Sequence, residues 1–501
     1  MLPLETQKAQ SEMEYLQDLF RGSHKSSKRY RRVYNAAMRL SRGCAFSFVV
    51  LTTFANAQTF TTLVSFNGTD GSLTYYETLA QGVNGSFYGT TERGGTSTAC
   101  GYNCGTIFKM APAGTLTTLI NLDLTDGSYP FAGLVLATNS EFYGTTSGGG
   151  ANGYGTIFKM TAAGKSETLH SFDSSDGANP WSALVQATNG ELYGTTSYGG
   201  AKGYGTIFKI TPSGTFTSLH SFDINDGYYP YGTLIQAANG DLYGTTYAGG
   251  SGGYGTVFSL TPGGTLTTIH DFALTDGGYV YGALVQAANG NFYGTTDGGG
   301  PSGNPGTIFK MTPAGDLTTL YVFCQQTGCA DGEGPTAGLV QGTDGNFYGT
   351  TVEGGANGLG TIFKVTPNGV ETVLHSFDGG DGYTPYGTLV QATDGNFYGT
   401  TFSGGPAPGG EGTVYRLSTG LGPFVKTIPT SAQVGDTVTI LGNELTSSTI
   451  VTFNGTAAVF TVNASGTAIT TTVPDGATTG AVQVTTSNTA LSSNVPFRVM
   501  N

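Results

Sequence analysis

Histidine is the side chain most often used as a general base or metal ligand near neutral pH. Four of the five histidines in this 501-residue chain share one position of a repeated phrase: His170, His220, His270 and His375. Other copies of the phrase carry Val64, Ile120 and Tyr321 there. Because each histidine belongs to a different copy, the four cannot converge on one site. We predict a structural role for them, and we predict no catalytic residue anywhere in the chain.

Aspartate also recurs, directly before glycine, at Asp70, Asp126, Asp176, Asp226, Asp276, Asp331 and Asp381, with a second aspartate three residues earlier at Asp123, Asp173, Asp223 and Asp378. Carboxylates on a loop suit Ca²⁺. The Asp-x-x-Asp-Gly spacing supplies fewer oxygens than a calcium loop, so it favours a turn in which glycine takes a positive φ. We expect no cofactor and no metal, and calcium stays open as the alternative.

The cysteines that follow residue 57 form two close pairs, Cys100 with Cys104 and Cys324 with Cys329. An even number of cysteines in a secreted chain indicates disulfides, here two local ones. A metal site made by all four is the alternative, although the two pairs lie four repeats apart.

Aromatic residues form the sharpest candidate binding site. One set stands just before the first strand of each repeat, at Phe131, Trp181, Tyr231, Tyr281 and Tyr386, with Tyr76 as the equivalent residue and Thr336 as the exception. A second set lies two or three residues earlier, at Tyr129, Tyr229, Tyr279 and Tyr383. Rings and acidic groups around a funnel suit neutral sugars, which stack on aromatic faces. The alternative is that the rings only fill the space between repeats.

Other kinds of site find no support. Lys109, Lys159, Lys209, Lys310, Lys364 and Arg416 share one position of the repeat, which argues against a basic active site. The glycine-rich loops lack the following helix that a phosphate loop needs. There is also no Gly-x-Ser-x-Gly elbow.

These residues belong to a unit of about 50 residues. Tyr-Gly-Thr-Thr begins at Tyr88, Tyr143, Tyr193, Tyr243, Tyr293, Tyr348 and Tyr398, with spacings of 55, 50, 50, 50, 55 and 50. The unit from Thr233 to Phe272 divides into four strands: TLIQAA (A), DLYGTT (B), GTVFSLT (C) and TLTTIHDF (D). Asn239-Gly240 between A and B is a strong hairpin pattern. Four antiparallel strands per unit are typical of a β-propeller blade.

The strand count predicts how the propeller closes. There are seven A, B and C pieces, but the last C strand has no D strand after it, whereas one D strand, Thr59 to Phe66, stands alone at the front. We therefore predict an all-β, seven-bladed propeller over residues 58–419 that is closed by its N-terminal strand. An open solenoid is the alternative. Strand parity places the D–A and B–C loops, with the aromatic sets and both cysteine pairs, on one face around the channel mouth.

The N-terminus has the features of a secretory leader. Arg39 and Arg42 precede an apolar run at residues 44–55, and Ala55-Asn56-Ala57 predicts cleavage after residue 57. A membrane anchor is the alternative. The polar segment before this run suggests that translation starts at Met38 and not at Met1.

The net charge of the chain after cleavage limits the classes of partner that it can bind. Residues 1–57 hold nine of the 20 Lys and Arg and four of the 33 Asp and Glu, which leaves 11 basic and 29 acidic residues and a net charge of −18. Such a surface repels nucleic acid and anionic lipid. No later stretch is apolar enough to span a membrane.

The phrase NGxFYGTT…GTIFKMTPxGTLTTLHSFD resembles the GloVer tandem repeat of secreted bacterial proteins of the choice-of-anchor type, over roughly residues 58–419. That resemblance implies secretion or a surface location and carries no established activity. Residues 423–499 are similar to IPT/TIG domains in Pro429, in the run from Gly435 to Ile440 and in Val473-Pro474. This second resemblance implies an immunoglobulin-like β-sandwich.

We therefore predict a secreted, non-enzymatic binding or surface-interaction protein, with a glycan or a surface protein as the partner on the loop-bearing face. A polysaccharide-active hydrolase or lyase is the rival class, in which Asp or Glu would act as acid and base. Glu333 and Glu353, which break the repeat, are its first candidates. A purely structural surface protein is the third class.

Overall fold

The computed structural model describes residues 58–500 except residues 77, 102 and 301–304. The predicted leader, its cleavage site and Met38 lie outside the described residues. Those residues form 38 β-strands and two short 3-10 helices, at Thr327–Cys329 and Leu445–Ser447, and no α-helix. The all-β prediction is confirmed for this part of the chain.

Seven four-stranded antiparallel sheets make up residues 58–419, which we call the repeat region. Sheet 1 contains β2 (Ala80–Gln81), β3 (Phe87–Thr91), β4 (Thr106–Met110) and β5 (Leu116–Asn121), and sheet 2 contains β6 (Val135–Leu136), β7 (Phe142–Thr146), β8 (Thr156–Met160) and β9 (Ser166–Ser171). Sheet 3 contains β10 (Val185–Gln186), β11 (Leu192–Thr196), β12 (Thr206–Ile210) and β13 (Phe216–Ser221), and sheet 4 contains β14 (Ile235–Gln236), β15 (Leu242–Thr245), β16 (Thr256–Leu260) and β17 (Leu266–Asp271). Sheet 5 contains β18 (Val285–Gln286), β19 (Phe292–Thr296), β20 (Thr307–Met311) and β21 (Leu317–Val322), and sheet 6 contains β22 (Val340–Gln341), β23 (Phe347–Thr351), β24 (Thr361–Val365) and β25 (Glu371–Ser376). Sheet 7 contains β26 (Val390–Gln391), β27 (Phe397–Thr401), β28 (Thr413–Ser418) and β1 (Thr59–Ser65).

The N-terminal strand β1 is the fourth strand of sheet 7. It pairs antiparallel with β28, from Thr59 opposite Ser418 to Ser65 opposite Thr413. The strand that stands alone in the sequence therefore completes the last sheet, as predicted.

Strand A is shorter than the six-residue segment predicted for it. In sheet 4 only Ile235–Gln236 pairs with strand B. The side chain of Gln236 instead bonds the neighbouring sheet, where its Oε1 accepts the backbone N–H of Thr188 at 2.9 Å. Strand A thus connects sheets through side chains where the sequence predicted a longer backbone ladder.

Strands B and C are buried on both faces because a sheet lies on each side of them. Between sheets 3 and 4, for example, Tyr193 and Ile207 pack against Leu234 and Phe258. These interlayers supply the apolar burial that stabilises the repeat region.

Residues 423–500 form the C-terminal region, whose two four-stranded sheets share one apolar core. One sheet contains β29 (Lys426–Ile428), β31 (Thr437–Leu441), β35 (Ala468–Thr472) and β34 (Phe460–Val462), and the other contains β33 (Thr456–Ala458), β32 (Ser448–Phe453), β36 (Val482–Thr486) and β37 (Ala490–Ser492). A parallel pair joins β30 (Ser431–Gln433) to β38 (Arg498–Met500).

The C-terminal region lies against the A–B turns of the repeat region. The N–H of Phe424 donates to the carbonyl of Thr393 at 3.0 Å, and the side chain of Asn463 donates to the carbonyl of Val83 at 2.9 Å. The guanidinium of Arg498 donates to the carbonyl of Ala238. The three acceptors belong to sheets 7, 1 and 4, so the A–B turns of these sheets are covered.

Candidate functional site

The D–A and B–C loops lie on the same side of the sheets. They pair with each other through isolated bridges, such as Tyr228 with Ala248 and Tyr383 with Ser403. We call this side the loop face and the opposite side, which carries the A–B and C–D turns, the turn face.

The predicted aromatic residues meet on the loop face and stack on one another. The ring of Trp181 lies 4.8 Å from that of Phe131 and 4.7 Å from that of Tyr231, and Tyr231 lies 5.3 Å from Tyr281, all in stacked geometry. Such pairs add stability beyond burial. Both faces of Trp181 and Tyr231 are covered by neighbouring rings, so a ligand would meet their edges and the tyrosine hydroxyl. We call Tyr75, Tyr76, Phe131, Trp181, Tyr231, Tyr281 and Tyr386 the aromatic cluster.

In repeat 1 the residue equivalent to Phe131 and Trp181 is Tyr75 and not Tyr76. Tyr75 stacks on Tyr386 at 4.7 Å and contacts Phe131 edge-on at 5.4 Å, so its ring joins repeats 7 and 2. Tyr76 stacks instead on Tyr281 at 5.6 Å and contacts Tyr386 at 5.8 Å. Tyr76 therefore fills the place left by Thr336 in repeat 6. One extra residue before strand A causes this shift, which position counting from Leu79 does not detect.

The second predicted aromatic set has a backbone role. Tyr129, Tyr229 and Tyr279 have φ values of 56°, 58° and 60°, a conformation that is uncommon for residues other than glycine. In repeat 7 the equivalent residue is Thr384, at φ 49°. Tyr383, one position earlier, is exposed on the loop face.

A carboxylate that the sequence analysis missed lies beside the cluster. Asp297 follows β19, at a position where other repeats carry residues such as Ser147 or Tyr247. Burial, reinforced by the charges of Glu353 and Glu333, raises the pKa of Asp297 to about 6. A residue-by-residue comparison of the position after Tyr-Gly-Thr-Thr would have found it together with Glu92 of repeat 1.

The two predicted carboxylates that break the repeat are neighbours. Glu333 and Glu353 exchange backbone hydrogen bonds of 2.9 and 3.0 Å. Burial, followed by the charges of Asp297 and Glu353, raises the pKa of Tyr386, a residue of the aromatic cluster. We call Asp297, Glu333 and Glu353 the acidic notch.

The histidines do not converge, as predicted, and each pairs with the aspartate of its own Asp-Gly step. The Nε2–Oδ2 distances are 2.8 Å for His170–Asp176, 2.7 Å for His220–Asp226, 3.2 Å for His270–Asp276 and 2.7 Å for His375–Asp381. Sequence analysis did not foresee these pairs, because the partners lie six residues apart across a turn. They join strand D to the following loop.

The Asp-x-x-Asp-Gly segments are closed turns. Oδ1 of Asp173 accepts the N–H groups of Ser175 and Asp176 at 3.0 and 3.2 Å, and Oδ1 of Asp176 accepts the N–H of Asp173 at 3.1 Å. Gly177 has a φ of 143°, and a Cβ on it would lie 2.6 Å from the side chain of Thr196. These contacts favour the turn interpretation over calcium.

Both cysteine pairs are disulfides, Cys100–Cys104 and Cys324–Cys329, and both lie in loops of the loop face. The alternative of a four-cysteine metal site is wrong, because each thiol is bonded within its own pair. Cys324 and Cys329 lie near Glu333, but their sulfur atoms are already joined to each other.

The turn face has a cavity of about 510 Å³ beneath the C-terminal region. Its walls are mainly aliphatic side chains of strands A, such as Val185 and Ile235, together with Ile428 and Pro429. Arg498, its one charged wall residue, is already bonded to Ala238. The acidic and aromatic residues predicted for a site all lie at the opposite face.

Among the described residues, no helix is long and apolar enough to cross a membrane.

Comparison with solved structures finds several remote likenesses. A gluconolactonase from Xanthomonas campestris is 12% identical, with a TM-score of 0.38, and the match covers 72% of this chain and 90% of that one. A fungal alcohol oxidase of the AA5 family, in complex with copper, is 14% identical, with a TM-score of 0.49 and coverage of 87% and 98%. A putative 6-phosphogluconolactonase from Bacteroides uniformis is 14% identical, with a TM-score of 0.39 and coverage of 78% and 93%. At these values no property of the three proteins is transferred to this chain.

No curated protein matches the sequence. The profile of the Gloeobacter/Verrucomicrobia repeat, in contrast, matches three times, at residues 40–190, 175–333 and 325–488. The chain therefore belongs to the Gloeobacter/Verrucomicrobia repeat family.

Proposed function

We propose that this protein is a secreted glycan-binding protein, built as a closed seven-bladed β-propeller over residues 58–419 and an immunoglobulin-like domain of the IPT/TIG type over residues 423–499. The ligand binds on the loop face, at the sector of sheets 5 and 6. The single observation that carries this proposal is the acidic notch, which lies in the sector where Tyr76, and not a residue of repeat 6, completes the aromatic cluster.

Contacts between sheets 7 and 1 support the closed ring. Tyr398 and Val414 of sheet 7 pack against Phe87 and Phe108 of sheet 1, in the same way as consecutive sheets elsewhere. Gln81 adds the interlayer bond seen in other sheets, since its Oε1 accepts the N–H of Thr393 at 3.1 Å. A strand β1 shared with sheet 7 then hides the edge that an open array would expose.

Two further features support the remaining parts of the proposal. The two sheets of the C-terminal region and their common core fit a small β-sandwich. The two disulfides are compatible with an oxidising, extracellular location.

The loop face also carries most of the exposed apolar surface of the repeat region. Seven large apolar or aromatic side chains of this region are exposed among the described residues, and six of them lie on the loop face: Leu124, Tyr154, Tyr198, Ile224, Leu274 and Tyr383. Because the cluster rings cover one another, the exposed tyrosines are the surfaces on which a sugar can stack. Exposed apolar groups with acidic neighbours are typical of an interaction surface.

A glycan array tests this function. We expect binding that falls at least tenfold in Tyr383→Ala, because it removes an exposed ring from the loop that follows sheet 6. Val370→Ala, an exposed residue of a C–D turn on the turn face, is the matched control and should bind as the wild type does. The absence of binding to any glycan, or equal losses in the two variants, would refute the proposal.

The acidic notch also favours a second candidate function, a glycoside hydrolase. A carboxyl with a pKa of about 6 can donate a proton near neutral pH, while a neighbouring carboxylate acts as base or nucleophile. Asp297 would be the acid, and Glu333 or Glu353 the partner.

Incubation of the array ligands with the protein separates the two functions. A hydrolase releases shorter oligosaccharides, and Asp297→Asn abolishes this release while binding persists. A binding protein leaves every ligand intact over days, in the wild type and in the variant.

A further inference from the structure

The loop that follows sheet 5 is held in place by a buried aspartate. This loop, residues 324–332, contains the second of the two disulfides, and we call it the disulfide loop. Asp331 within it is 0% exposed, and its two carboxylate oxygens accept the backbone N–H groups of Gln325 and Gln326 at 2.9 and 3.1 Å. Asp331 therefore fixes the conformation of the disulfide loop.

The hydroxyl of Tyr321, on β21, interacts with two carboxyl groups. It donates its one hydrogen to Oδ2 of Asp331 at 2.7 Å. It also interacts with Glu371, on β25 of the neighbouring sheet, whose Oε1 is buried and has no hydrogen-bond partner. A tyrosine hydroxyl has a single hydrogen but can also accept one. The hydrogen of Tyr321 is already used by Asp331, so Glu371 can bond this hydroxyl only when it is protonated and donates its own O–H.

The electrostatics of the trio agree with this hydrogen-bond count. Burial of Glu371 and the charge of Asp331 raise the pKa of Glu371 from its ordinary value of 4.5 to about 7, against a smaller lowering by the hydroxyl of Tyr321. The folded protein thus binds this proton more tightly than the unfolded chain does. The stability that the trio contributes is therefore lost as the pH rises from about 4.5 to 7.

The other charged groups of these strands do not compensate the two acids. On β24, Lys364 stands opposite the residue after Glu371, so its side chain lies on the other face of sheet 6. Neither Lys364 nor Lys310 of β20 takes part in an ion pair among the described residues. His375, farther along β25, is paired with Asp381.

This arrangement departs from the repeat. Glu371 is the one acidic residue among the seven at its position, where other repeats carry residues such as Leu266. Between sheets 1 and 2, Ile120 takes the position of Tyr321 and Ser166 that of Glu371. That pair of sheets has the same strands but lacks the hydroxyl and the second carboxyl group, so it offers an internal reference.

We propose that Tyr321, Asp331 and Glu371 form a pH switch that holds the disulfide loop closed when Glu371 is protonated and releases it when Glu371 ionises. Ionised Glu371 repels Asp331 and competes with it for the hydrogen of Tyr321, which weakens the hold of Asp331 on the loop. The disulfide loop ends next to Glu333 of the acidic notch, so the switch lies in the sector proposed for binding. Its test uses no glycan and is independent of the binding function.

Hydrogen–deuterium exchange of the purified protein tests the switch, read by mass spectrometry at pH 5.5 and 8.0 and corrected for the intrinsic exchange rate. We expect the protection of the disulfide loop to be about tenfold to thirtyfold lower at pH 8.0, which is the change that a shift in pKa from 4.5 to about 7 allows. Residues 122–127, the equivalent loop after sheet 1, are the internal control and should change less than about twofold.

Variants of Glu371 separate its charge from its shape. Glu371→Gln keeps the shape and a donor but cannot ionise, so its disulfide loop should stay protected at pH 8.0. Glu371→Leu restores the residue found at this position in repeats such as that of Leu266 and should behave in the same way. Glu167→Gln, which removes an exposed carboxylate of the outer strand β9, is the matched control and should respond to pH as the wild type does.

The remaining outcomes overturn the proposal. Equal protection of the wild-type loop at both pH values would do so, as would an equal loss in the wild type and in both Glu371 variants. An equal loss in residues 122–127 would show a general loosening of the protein. Because a neutral side chain removes the repulsion, failure of both Glu371 variants to fold would contradict the proposal too.

Discussion

Sheets 2 to 4 and the sector of sheets 5 and 6 fill the same positions of the loop face with different side chains. In the first group, Phe131, Trp181 and Tyr231 stack in sequence. In the second, Thr336 replaces the ring, and a carboxylate, Asp297, ends strand B. The repeated rings stack on one another, whereas the three carboxylates of the acidic notch form no ion pair among the described residues. Residues that follow the repeat thus stabilise the fold, and residues that depart from it are the best candidates for binding.

A second departure from the repeat lies on β25, the outer strand of sheet 6. Glu371 occupies a position where other repeats have Phe216 or Leu266, and burial together with the charge of Asp331 raises its pKa to about 7. In sheet 3 the equivalent Phe216 stacks on His170 at 3.9 Å. Two positions of one sector therefore carry a carboxyl group where most other repeats carry a neutral side chain.

The largest effect should come from deletion of residues 59–66, which removes a repeated element from the completed sheet. The account predicts loss of soluble protein, because β28 becomes an unpaired edge and the interlayer of sheets 7 and 1 is opened. The control is the chain that begins at Gln58. Size-exclusion chromatography and a thermal melt test this prediction. A shortened protein that elutes as a monomer and melts at the same temperature as the control would contradict the closed ring.

Trp181→Ala tests a ring that follows the repeat. It should lower the free energy of unfolding by about 2–4 kcal/mol, because two stacked neighbours lose their partner. Trp181→Phe retains an aromatic face and should cost less than about 1.5 kcal/mol. Urea denaturation measures both. Similar values for the two variants would mean that stacking does not stabilise the cluster.

Gly177→Ala tests a repeated turn. We expect a loss of about 2–3 kcal/mol, from strain at a φ of 143° and from the contact with Thr196. Gly190→Ala has a φ of 82° but no atom within 4 Å of the new Cβ, so it should cost only about 1 kcal/mol. Thermal melts compare the two. Equal losses would show that Thr196 adjusts without cost.

Asp297→Asn tests the departing sector and should stabilise the protein. The folded state raises the pKa of Asp297 from 3.8 to about 6, so its ionisation costs stability, which falls as the pH rises from about 4 to 6 and stays lower above that range. We expect the variant to gain about 1–2 kcal/mol at pH 7.5 and little at pH 4, measured as denaturation midpoints. A loss of stability at pH 7.5 would show that Asp297 has a stabilising partner.

Much of the fold was predictable because the same pattern of strands and turns recurs seven times in the sequence. Strands B, C and D of residues 233–272 correspond to β15, β16 and β17 within a few residues, and the pairing of β1 with β28 follows from counting strands. The site was predicted only in part. Position counting misplaced Tyr76, since one added residue shifts Tyr75 into the cluster. Asp297 was missed because its burial and its acidic neighbours depend on contacts between repeats.

A crystal structure with the tightest array ligand tests the central claim most directly. We expect ligand density on the loop face between sheets 5 and 6, within contact distance of Asp297 or Glu353. Density only in the turn-face cavity, against Val185, Ile235 and Ile428, would contradict it.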